Sequence, residues 1–349
     1  MHHARMENGR SPAFRRNPRE AREATERDLL APAAQRSAET RGRVRPEAPD
    51  RYRTAYQRDR DRIVHSKAFR RLKHKTQVFL DPEGDHFITR LTHTLQVHQI
   101  ARSLAAGLGL NEPLAEAIAL GHDVGHTPFG HTGEDALSPY FPATGGWHHA
   151  AQSVRIFERL EDRNLTWEVR DGIRAHSWKI DPPPVTQEAL CVRYADRIAY
   201  LTHDAMDAMR AGVLTPRDFP AAVEARFGPP GKRWIGEMIE SVIEESLRGD
   251  EVRMDAATLG VMHELRDFMF DRVYHAPDLR RRTAEAVDLL RRLMDWHLDH
   301  PDEIPETYRD PEADRITQAA DYIAGMTDRF AVRTHERIFG TPGIGDPVI

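Results

Sequence analysis

A glycine-rich loop groups several side chains that can bind a metal ion or transfer a proton. Between Gly121 and Glu134 they are His122, Asp123, His126, His131 and Glu134. Histidines and carboxylates are costly to bury unless they are hydrogen-bonded or metal-bound, so this grouping is typical of a site rather than of a core. Adjacent His122 and Asp123 can offer a nitrogen and an oxygen to one ion. Such ligands suit Mn, Fe, Co, Ni, Zn or Mg, and we predict a divalent metal site completed by ligands from distant elements.

One helix that positions this loop is predicted over Asp85–Leu108, where apolar residues recur every three or four positions. Arg90 and His93 are three residues apart and therefore share one face of that helix. A second, shorter helix is predicted from Asn111, a favourable N-cap residue, and leads directly into the loop. These two elements would bring an arginine and a further imidazole to the histidine-rich loop.

Another helix that frames the loop is predicted over Thr186–Arg210. Asp196, Tyr200 and Asp204 recur every four residues on it and form one polar stripe beside apolar neighbours. Ion pairs with arginines of the same helix would explain either aspartate taken alone. Taken with the histidine loop, the stripe favours an internal polar site.

The rest of the chain predicts an all-α protein, because its apolar residues follow helical spacing and no stretch alternates as a strand would. Residues 1–50 have few large apolar side chains, and we predict a flexible, Arg-rich N-terminal arm with one short helix near Glu20–Leu30. Residues 51–349 predict a single helical domain whose metal and catalytic core spans 65–212. The helices predicted after that core are Trp234–Leu247, Ala256–Val273, Asp278–Leu298 and Asp314–Ile338.

The composition excludes several classes of protein. The 349 residues are 40% hydrophobic and 30% charged with a net charge of −5, which is typical of a globular protein and not of one that coats DNA. No apolar run approaches the ~20 residues needed to cross a bilayer, so we expect no membrane association. Cys191 is the only cysteine, which rules out an internal disulfide, and we expect a reducing compartment, the cytoplasm.

A basic cluster precedes the first framing helix and consists of Lys67, Arg70, Arg71, Lys73 and Lys75. It predicts a surface for a polyanion, which would be a triphosphate, an allosteric nucleotide or a nucleic-acid strand. The strand is the weakest of the three hypotheses, because no aromatic residues are interleaved for base stacking.

Five segments carry a more specific pattern. They are 58–63 (RDRDRI), 65–78 (HSKAFRRLKHKTQV), 122–134 (HDVGHTPFGHTGE), 146–149 (GWHH) and 195–200 (ADRIAY). His93, His122-Asp123 and Asp196 match the H…HD…D signature of the HD-domain phosphohydrolase superfamily. The segments together resemble the deoxyguanosinetriphosphate triphosphohydrolase family of that superfamily, over a stretch from about Leu29 to about Leu214.

The resemblance implies an all-α HD-domain fold with additional C-terminal helices, and it implies roles for individual residues. The implied metal ligands are His93, His122, Asp123 and Asp196. The implied catalytic residues are His131, Glu134 and His126. The implied substrate-binding residues are Arg90, Gln77, His149, Tyr200 and Asp204. Members of the family often carry Glu-His-Asn where this chain has His-His-Ala at 148–150.

The activity implied is hydrolysis of a deoxynucleoside triphosphate to a deoxynucleoside and inorganic triphosphate. His131 would protonate the leaving 5′-oxygen, cationic His126, His149 and Arg90 would neutralise charge, and Mg would accompany the triphosphate. Deoxynucleotides as allosteric activators and a homo-oligomer, for instance a hexamer, are implied by the resemblance alone. Two alternatives stay open. One is another HD-type hydrolase acting on alarmones, nucleoside monophosphates or cyclic nucleotides; the other is a nucleotide-sensing or nucleic-acid-binding protein without enzymatic activity.

Overall fold

The computed structural model describes residues 14–77 and 87–341. Within those ranges the chain forms fifteen α-helices joined by short 3₁₀ and π turns, with two isolated β-bridges and no β-strand. The all-α class predicted from the sequence is confirmed. None of the helices in the described ranges combines the length and the apolar character that crossing a membrane would require. Residues 1–13 of the predicted arm and the first two residues of the helix predicted from Asp85 lie outside the described ranges.

The helices are numbered here in chain order. They are α1 (Arg19–Leu29), α2 (Ala55–Val64), α3 (Lys67–Arg71), α4 (Arg90–Gly107), α5 (Glu112–Gly121), α6 (His131–Leu137), α7 (His149–Arg155), α8 (Trp167–Ala175), α9 (Gln187–Arg210), α10 (Ala221–Phe227), α11 (Lys232–Ser246), α12 (Ala256–Met269), α13 (Pro277–Asp299), α14 (Arg315–Ala324) and α15 (Asp328–Phe339).

The centre of the fold is a bundle in which α4 packs against both α5 and α9, with α2 and α8 covering α5. Side-chain caps fix where these helices begin: Thr89 accepts a hydrogen bond from the Thr92 amide, and Asn111 accepts one from the Leu114 amide. At the end of α5 the packing is close, since a Cβ on Gly121 would lie 2.5 Å from the Ile173 Cδ1 atom of α8. The bundle buries a large apolar cluster, here called the first apolar cluster, that includes α4, α5, α8 and α9.

A second apolar cluster is separate from the first. It is formed by α13, α14 and α15 together with four residues of the central segment, Phe129, Ala136, Leu137 and Trp147. Since Phe129 belongs to the histidine-rich loop and Ala136 and Leu137 to α6, this cluster supports the loop from its C-terminal side. The loop therefore lies between two apolar clusters.

Two helices replace the single one predicted around Asp314–Ile338. The first, α14, ends at Ala324, and α15 begins at Asp328 after Thr327, whose side chain accepts a hydrogen bond from the Phe330 amide. Gly325 lies at the break, where a Cβ would approach the Tyr308 hydroxyl oxygen to 2.4 Å. A threonine cap and a closely packed glycine thus end one helix and start the next.

Residues 31–50 run along the domain and are held by polar contacts, whereas the sequence predicted a loose arm. The Gln35 amide donates to Glu188 at 3.0 Å, and the Arg41 amide donates to Glu168 at 2.6 Å. Arg43 pairs with buried Asp59. Their composition gave little indication of this packing, because the contacts are mostly ionic and hydrogen-bonded, with Ala34 as the buried apolar residue of the stretch. The short helix predicted near Glu20–Leu30 is present as α1.

Candidate active site and metal centre

The four residues predicted to bind metal converge from three elements, and they are called the metal cluster below. His93 lies within α4, His122 and Asp123 directly follow α5, and Asp196 lies within α9. The His93 Nε2 atom is 3.1 Å from an Asp196 oxygen and 3.9 Å from an Asp123 oxygen. The His122 Nε2 atom is 3.3 Å from Asp123 and 3.8 Å from Asp196. Two imidazoles and two carboxylates therefore face one another.

The environment of His122 fits a bound cation. Its Nδ1 atom donates to the Ala119 carbonyl at 2.6 Å, which leaves the lone pair on Nε2. That Nε2 atom is buried and has no hydrogen-bond partner among the described residues, although it faces two carboxylates. A divalent ion would satisfy this nitrogen and both oxygens, and the mixed nitrogen and oxygen donors suit first-row transition metals as well as Mg.

Both aspartates of the metal cluster are ionised. Burial alone would raise their pKa values, but the neighbouring His122 and His126, and then Arg90, hold the pKa of Asp123 well below its usual range. The pKa of Asp196 is also lowered, against the effect of burial, by its hydrogen bond with His93 and by the charge of His122. Anionic carboxylates are the form that a metal ion binds.

Arg90 is buried, and its Nη1 atom contacts Asp123 at 2.9 Å. Gly130 permits this position, because a Cβ there would lie 2.2 Å from the Arg90 Nη2 atom, and its φ of +59° also favours glycine. Arg90 thus lies beside the metal cluster, as the sequence predicted, with its charge directed at a predicted metal ligand.

A second group of side chains surrounds Glu134 and is called the Glu134 cluster: His126, His131, Glu134 and His149. Glu134 contacts His131 Nδ1 at 3.3 Å and His126 Nδ1 at 3.2 Å, and it is hydrogen-bonded to His149 Nδ1. The His126 and His149 rings are stacked with their centroids 3.9 Å apart. The sequence predicted the contact between His131 and Glu134; the structure adds two further imidazoles to the same carboxylate.

The charges within the Glu134 cluster differ from one residue to the next. Burial would raise the pKa of Glu134, yet His149 and His131 lower it well below its usual range. Desolvation by the surrounding groups opposes a charge on His131, but the adjacent Glu134 carboxylate outweighs it and raises the pKa of His131. His126 is the opposite case, because burial and the charge of Arg90 lower its pKa well below the usual value. The direction of this shift disfavours a charge on His126, although carboxylate oxygens of Asp123 and Glu134 lie 3.2 Å from its two ring nitrogens.

His176 is a buried histidine of the site that the sequence reasoning missed. It follows α8, its Nδ1 atom donates to the Ile173 carbonyl at 2.8 Å, and its Nε2 atom is 2.9 Å from His149 Nε2. Burial, together with the charges of His122 and His149, lowers the pKa of His176 to about 3. The one indication in the sequence is a histidine at the end of an otherwise amphipathic helix, and that is too common to assign a role.

The polar stripe of α9 has partners other than the expected arginines. Asp196 contacts His93 and His122, as given above. Asp204 accepts a hydrogen bond of 2.6 Å from the Tyr274 hydroxyl, while Arg210 pairs with Asp207. Burial raises the pKa of Asp204 to about 7 and that of Tyr200 to about 12. The ion-pair alternative is thus not observed, and Tyr274 is a further contact that the sequence did not predict.

Comparison with known proteins assigns this arrangement to a family. Residues 90–201 match the model of the HD domain, and residues 252–337 match that of a phosphohydrolase-associated domain. A deoxyguanosinetriphosphate triphosphohydrolase-like protein of Caldanaerobacter subterraneus subsp. tengcongensis is 47% identical over 327 residues, which is 92% of this chain and 95% of the relative. A protein of the same description from Desulfatibacillum aliphaticivorans is 45% identical over 344 residues, covering 92% and 97%.

The chain belongs to the deoxyguanosinetriphosphate triphosphohydrolase-like family. It carries an HD phosphohydrolase domain, which makes it a hydrolase. Among solved structures, a hypothetical protein from Aquifex aeolicus matches over 81% of this chain and 71% of its own, with 22% sequence identity and a TM-score of 0.48.

In this family member the histidine-rich loop is attached to the phosphohydrolase-associated segment by hydrogen bonds. Asp328 accepts from the Phe129 amide at 3.1 Å, from the Thr76 amide at 2.8 Å and from the Thr76 hydroxyl at 2.7 Å. Lys75 donates to the His126 carbonyl and, at 2.7 Å, to the Ala324 carbonyl. These contacts join the loop to residues almost two hundred positions further along the chain.

Lys75 therefore does not belong to the basic cluster predicted from the sequence. It is buried, whereas Lys67, Arg70 and Lys73 are exposed. A lysine among other basic residues gives no indication of burial. Carbonyl acceptors from two distant segments, which only the fold brings together, stabilise it here.

Gln77, the last of the predicted site residues, is half-buried, and its Oε1 atom is buried without a hydrogen-bond partner among the described residues. A buried oxygen without a partner can accept a hydrogen bond from a bound molecule. Gln77, Tyr200 and Asp204 form no hydrogen bond or ion pair with the metal cluster or the Glu134 cluster, so a role for these three is a proposal.

Proposed function

We propose that this chain hydrolyses deoxynucleoside triphosphates to a deoxynucleoside and inorganic triphosphate, using a divalent metal held by His93, His122, Asp123 and Asp196. The observation that carries the proposal is the metal cluster lying beside the Glu134 cluster in a member of this family. Asp123 joins the two, since its carboxylate is 3.3 Å from His122 and 3.2 Å from His126. When bound, the ion supplies positive charge that polarises a phosphoryl oxygen and favours deprotonation of a water molecule.

His131 is the proposed general acid. Glu134 contacts its Nδ1 atom, so that Nε2 is the ring nitrogen left to face a bound molecule. The carboxylate also raises the pKa of His131, which increases the protonated fraction near neutral pH. His131 would donate its proton to the 5′-oxygen as that oxygen leaves the α-phosphorus, and Glu134 would stabilise the charged ring until then.

The phosphates would lie near Arg90, His126 and His149, with Mg accompanying the triphosphate. Arg90 supplies a permanent positive charge. His126 would bind a phosphate oxygen through a ring N–H, since burial and the charge of Arg90 lower its pKa. Developing negative charge would thus be met by Arg90, by the bound metal ions and by fixed polar groups.

The sugar would be bound by Gln77, Tyr200 and Asp204. We propose that Gln77 and Asp204 hydrogen-bond its 3′-hydroxyl and that Tyr200 packs where a 2′-hydroxyl would clash. Asp204 is buried and accepts from the Tyr274 hydroxyl, and its carboxylate has lone pairs left to accept from the 3′-hydroxyl, while the Gln77 side-chain amide can donate to the hydroxyl oxygen. The same family resemblance supports a homo-oligomer and activation by deoxynucleotides, which size-exclusion chromatography with and without dNTP would test.

An assay of the wild-type protein with the four dNTPs, singly and mixed, and with Mg, Mn and Co tests the activity. Separation of the products by ion exchange should yield the deoxynucleoside and intact triphosphate. In ¹⁸O-labelled water the label should enter the triphosphate, because the oxygen attacks phosphorus and the 5′-oxygen stays with the sugar. Release of pyrophosphate, or turnover only of alarmones, nucleoside monophosphates or cyclic nucleotides, would reject the proposal.

A further inference from the structure

Arg197 is a half-buried cation that forms no ion pair within the described ranges of the chain. It directly follows the predicted metal ligand Asp196 on α9. It also precedes Tyr200 by three residues, so that Arg197 and Tyr200 share one face of the helix. Its guanidinium stays protonated in a protein, and it therefore brings a positive charge to the edge of the proposed nucleotide site.

Two uncharged contacts hold this guanidinium in place. The Arg197 Cζ atom lies over the ring of Trp178, 4.0 Å from the ring centroid, and Trp178 belongs to the segment between α8 and α9. The Arg197 Nη1 atom is also 3.3 Å from the Nε2 atom of His263, on α12. Burial, and then the charge of Arg197, lowers the pKa of His263, which favours the neutral ring that can accept this hydrogen bond.

The Trp178 ring is itself fixed by α9. Its Nε1 atom donates a hydrogen bond of 2.8 Å to the Arg193 carbonyl, one turn before Arg197. Its edge packs against the Tyr194 ring, with the centroids 5.0 Å apart and the planes nearly perpendicular. With the N–H and one edge of the indole occupied in this way, its face is presented to the Arg197 guanidinium.

An aromatic ring positions a guanidinium without cancelling its charge. A carboxylate partner would both orient Arg197 and neutralise it, whereas an aromatic face attracts the cation through the ring quadrupole and carries no net charge. A second guanidinium lies on the same side of the fold, since the charges of Arg197 and Arg266 both oppose the effect of burial on the pKa of Tyr200. An anion bound beside Tyr200 would therefore meet positive charge from α9 and from α12.

We propose that Trp178 is a positioning residue, which holds Arg197 where its guanidinium binds the triphosphate of the substrate. This role rests on the proposed function, because that function supplies the polyanion. Trp178 acts through Arg197 and need not touch the nucleotide. Since Arg197 forms no hydrogen bond or ion pair with the Glu134 cluster, it should bind substrate and transition state alike. Loss of the ring should therefore raise KM and leave kcat within about twofold of its wild-type value.

Calorimetric binding of inorganic triphosphate to the full-length chain tests the proposal without turnover. Trp178→Leu keeps an apolar side chain but has no aromatic face, whereas Trp178→Phe keeps a ring. We expect the Kd for triphosphate, and the KM for a dNTP, to rise about three- to thirtyfold in Trp178→Leu, the range that a cation–π contact spans, and to rise less in Trp178→Phe. Wild-type Kd and KM in Trp178→Leu, or equal losses in both variants, would overturn the role of the ring.

A double-variant cycle with Arg197→Met distinguishes positioning from a general structural effect. If Trp178 acts through Arg197, Trp178→Leu should weaken triphosphate binding no further once Arg197 is replaced. An equal loss in the two backgrounds would show that Trp178 does not act through Arg197. Trp167→Leu is the matched control, because Trp167 also carries a stacked guanidinium, that of exposed Arg41 at 3.8 Å. It should keep the wild-type Kd and KM.

The same measurements separate this role from the proposed function. Hydrolysis of dNTPs with an unchanged KM in Trp178→Leu leaves the proposed function standing and rejects the positioning role. Triphosphate binding that depends on Trp178, in a wild-type chain that hydrolyses none of the four dNTPs, supports the positioning of Arg197 for an anion and rejects the proposed function.

Discussion

The metal cluster and the Glu134 cluster share Asp123 as a neighbour but are built in different ways. The ligands of the metal cluster come from α4, α9 and the end of α5, which pack on one another in the first apolar cluster. Glu134 and His131 lie on α6, a helix of seven residues that packs against α13 of the second apolar cluster. Predicted metal ligands thus have the support of long helices, whereas the predicted general acid depends on a short helix and on C-terminal segments.

This difference implies that the two clusters can be damaged separately. A substitution in the C-terminal helices should disturb the position of His131 and leave the metal ligands in place. A substitution at Asp123 should disturb both clusters, because its carboxylate contacts His122, His126 and Arg90. The predictions below test this separation, from the largest expected effect to the smallest.

Asp123→Ala should abolish metal binding and turnover together. The variant removes a proposed metal ligand and leaves the buried Arg90 guanidinium without its carboxylate, which adds a stability cost of about 3–5 kcal/mol. Elemental analysis, turnover and thermal unfolding should be measured on the same preparation. Asp328→Asn is a suitable control for metal content alone, because it changes a buried aspartate outside the metal cluster. Wild-type metal content in Asp123→Ala would refute the four-ligand assignment.

His131→Ala should retain metal and nucleotide binding but lose turnover by about 10²–10⁴-fold, the usual contribution of a positioned proton donor. The reason is that His131 contacts Glu134 and no residue of the metal cluster. Calorimetric dNTP binding, metal content and single-turnover rates should be compared with those of His300→Ala, an exposed histidine on another helix end. A folded, metal-loaded variant with wild-type turnover would exclude His131 as the general acid.

A Glu134 variant tests whether Glu134 acts only through His131, because Glu134 contacts three histidines. If Glu134 acted through His131 alone, the double variant would be little slower than His131→Ala, since residues that act as a unit are non-additive. We expect the double variant to be slower still, because Glu134→Ala also removes the carboxylate that orients His149. Equal single-turnover rates for His131→Ala and the double variant would contradict this wider role.

The same contrast explains what could be predicted from the sequence. The metal cluster was predictable because His93 and Asp196 lie on predicted helices, His122 and Asp123 are adjacent at a helix end, and all four match a family signature. His176 and Lys75 were not, because the fold alone brings His176 to His149 and Lys75 to the Ala324 carbonyl. The break between α14 and α15 was missed for a related reason. Both helices carry amphipathic patterns, and Tyr308, which packs against the intervening Gly325, is brought there only by the fold.

Asp328→Ala should lower turnover by about 10²-fold while metal content stays at its wild-type value. Asp328 accepts hydrogen bonds from the Phe129 and Thr76 amides, so its loss should release the loop that leads to His131. A shift of the His131 side chain by about 1 Å can lower turnover by that factor. Each buried donor left without its acceptor should also cost about 1–3 kcal/mol of unfolding free energy. Asp314→Ala is the matched control, because exposed Asp314 caps α14 only. Parallel loss of metal would show that the two clusters are not separable.

Discrimination between deoxyribose and ribose should be a smaller effect. We expect kcat/KM to be at least tenfold higher for a dNTP than for the matching NTP, and a tenfold ratio corresponds to about 1.4 kcal/mol of transition-state binding. Tyr200 is half-buried one turn from Asp196 and is proposed to pack where a 2′-hydroxyl would lie. A 2′,3′-dideoxynucleotide should also be a poor substrate, because it lacks the hydroxyl assigned to Gln77 and Asp204. Comparable kcat/KM values for dGTP and GTP would reject the role of Tyr200.

Tyr274→Phe should have the smallest effect, a fall of roughly fivefold in kcat/KM near pH 7, equivalent to one hydrogen bond of about 1 kcal/mol. Burial raises the pKa of Asp204 to about 7, and donation from the Tyr274 hydroxyl opposes this by favouring the carboxylate. Removing that donor should raise the pKa of Asp204 further, so the carboxylate that accepts from the 3′-hydroxyl is lost at a higher pH. The acid limb of the kcat/KM profile should therefore move to higher pH by less than about one unit.

Tyr140→Phe is the matched control. It removes a similar hydroxyl contact, with Asp295 on the surface, and should leave the profile unchanged. If both variants follow the wild-type profile, Asp204 does not bind the sugar as a carboxylate, and the α9 stripe contributes to the site through Asp196 alone.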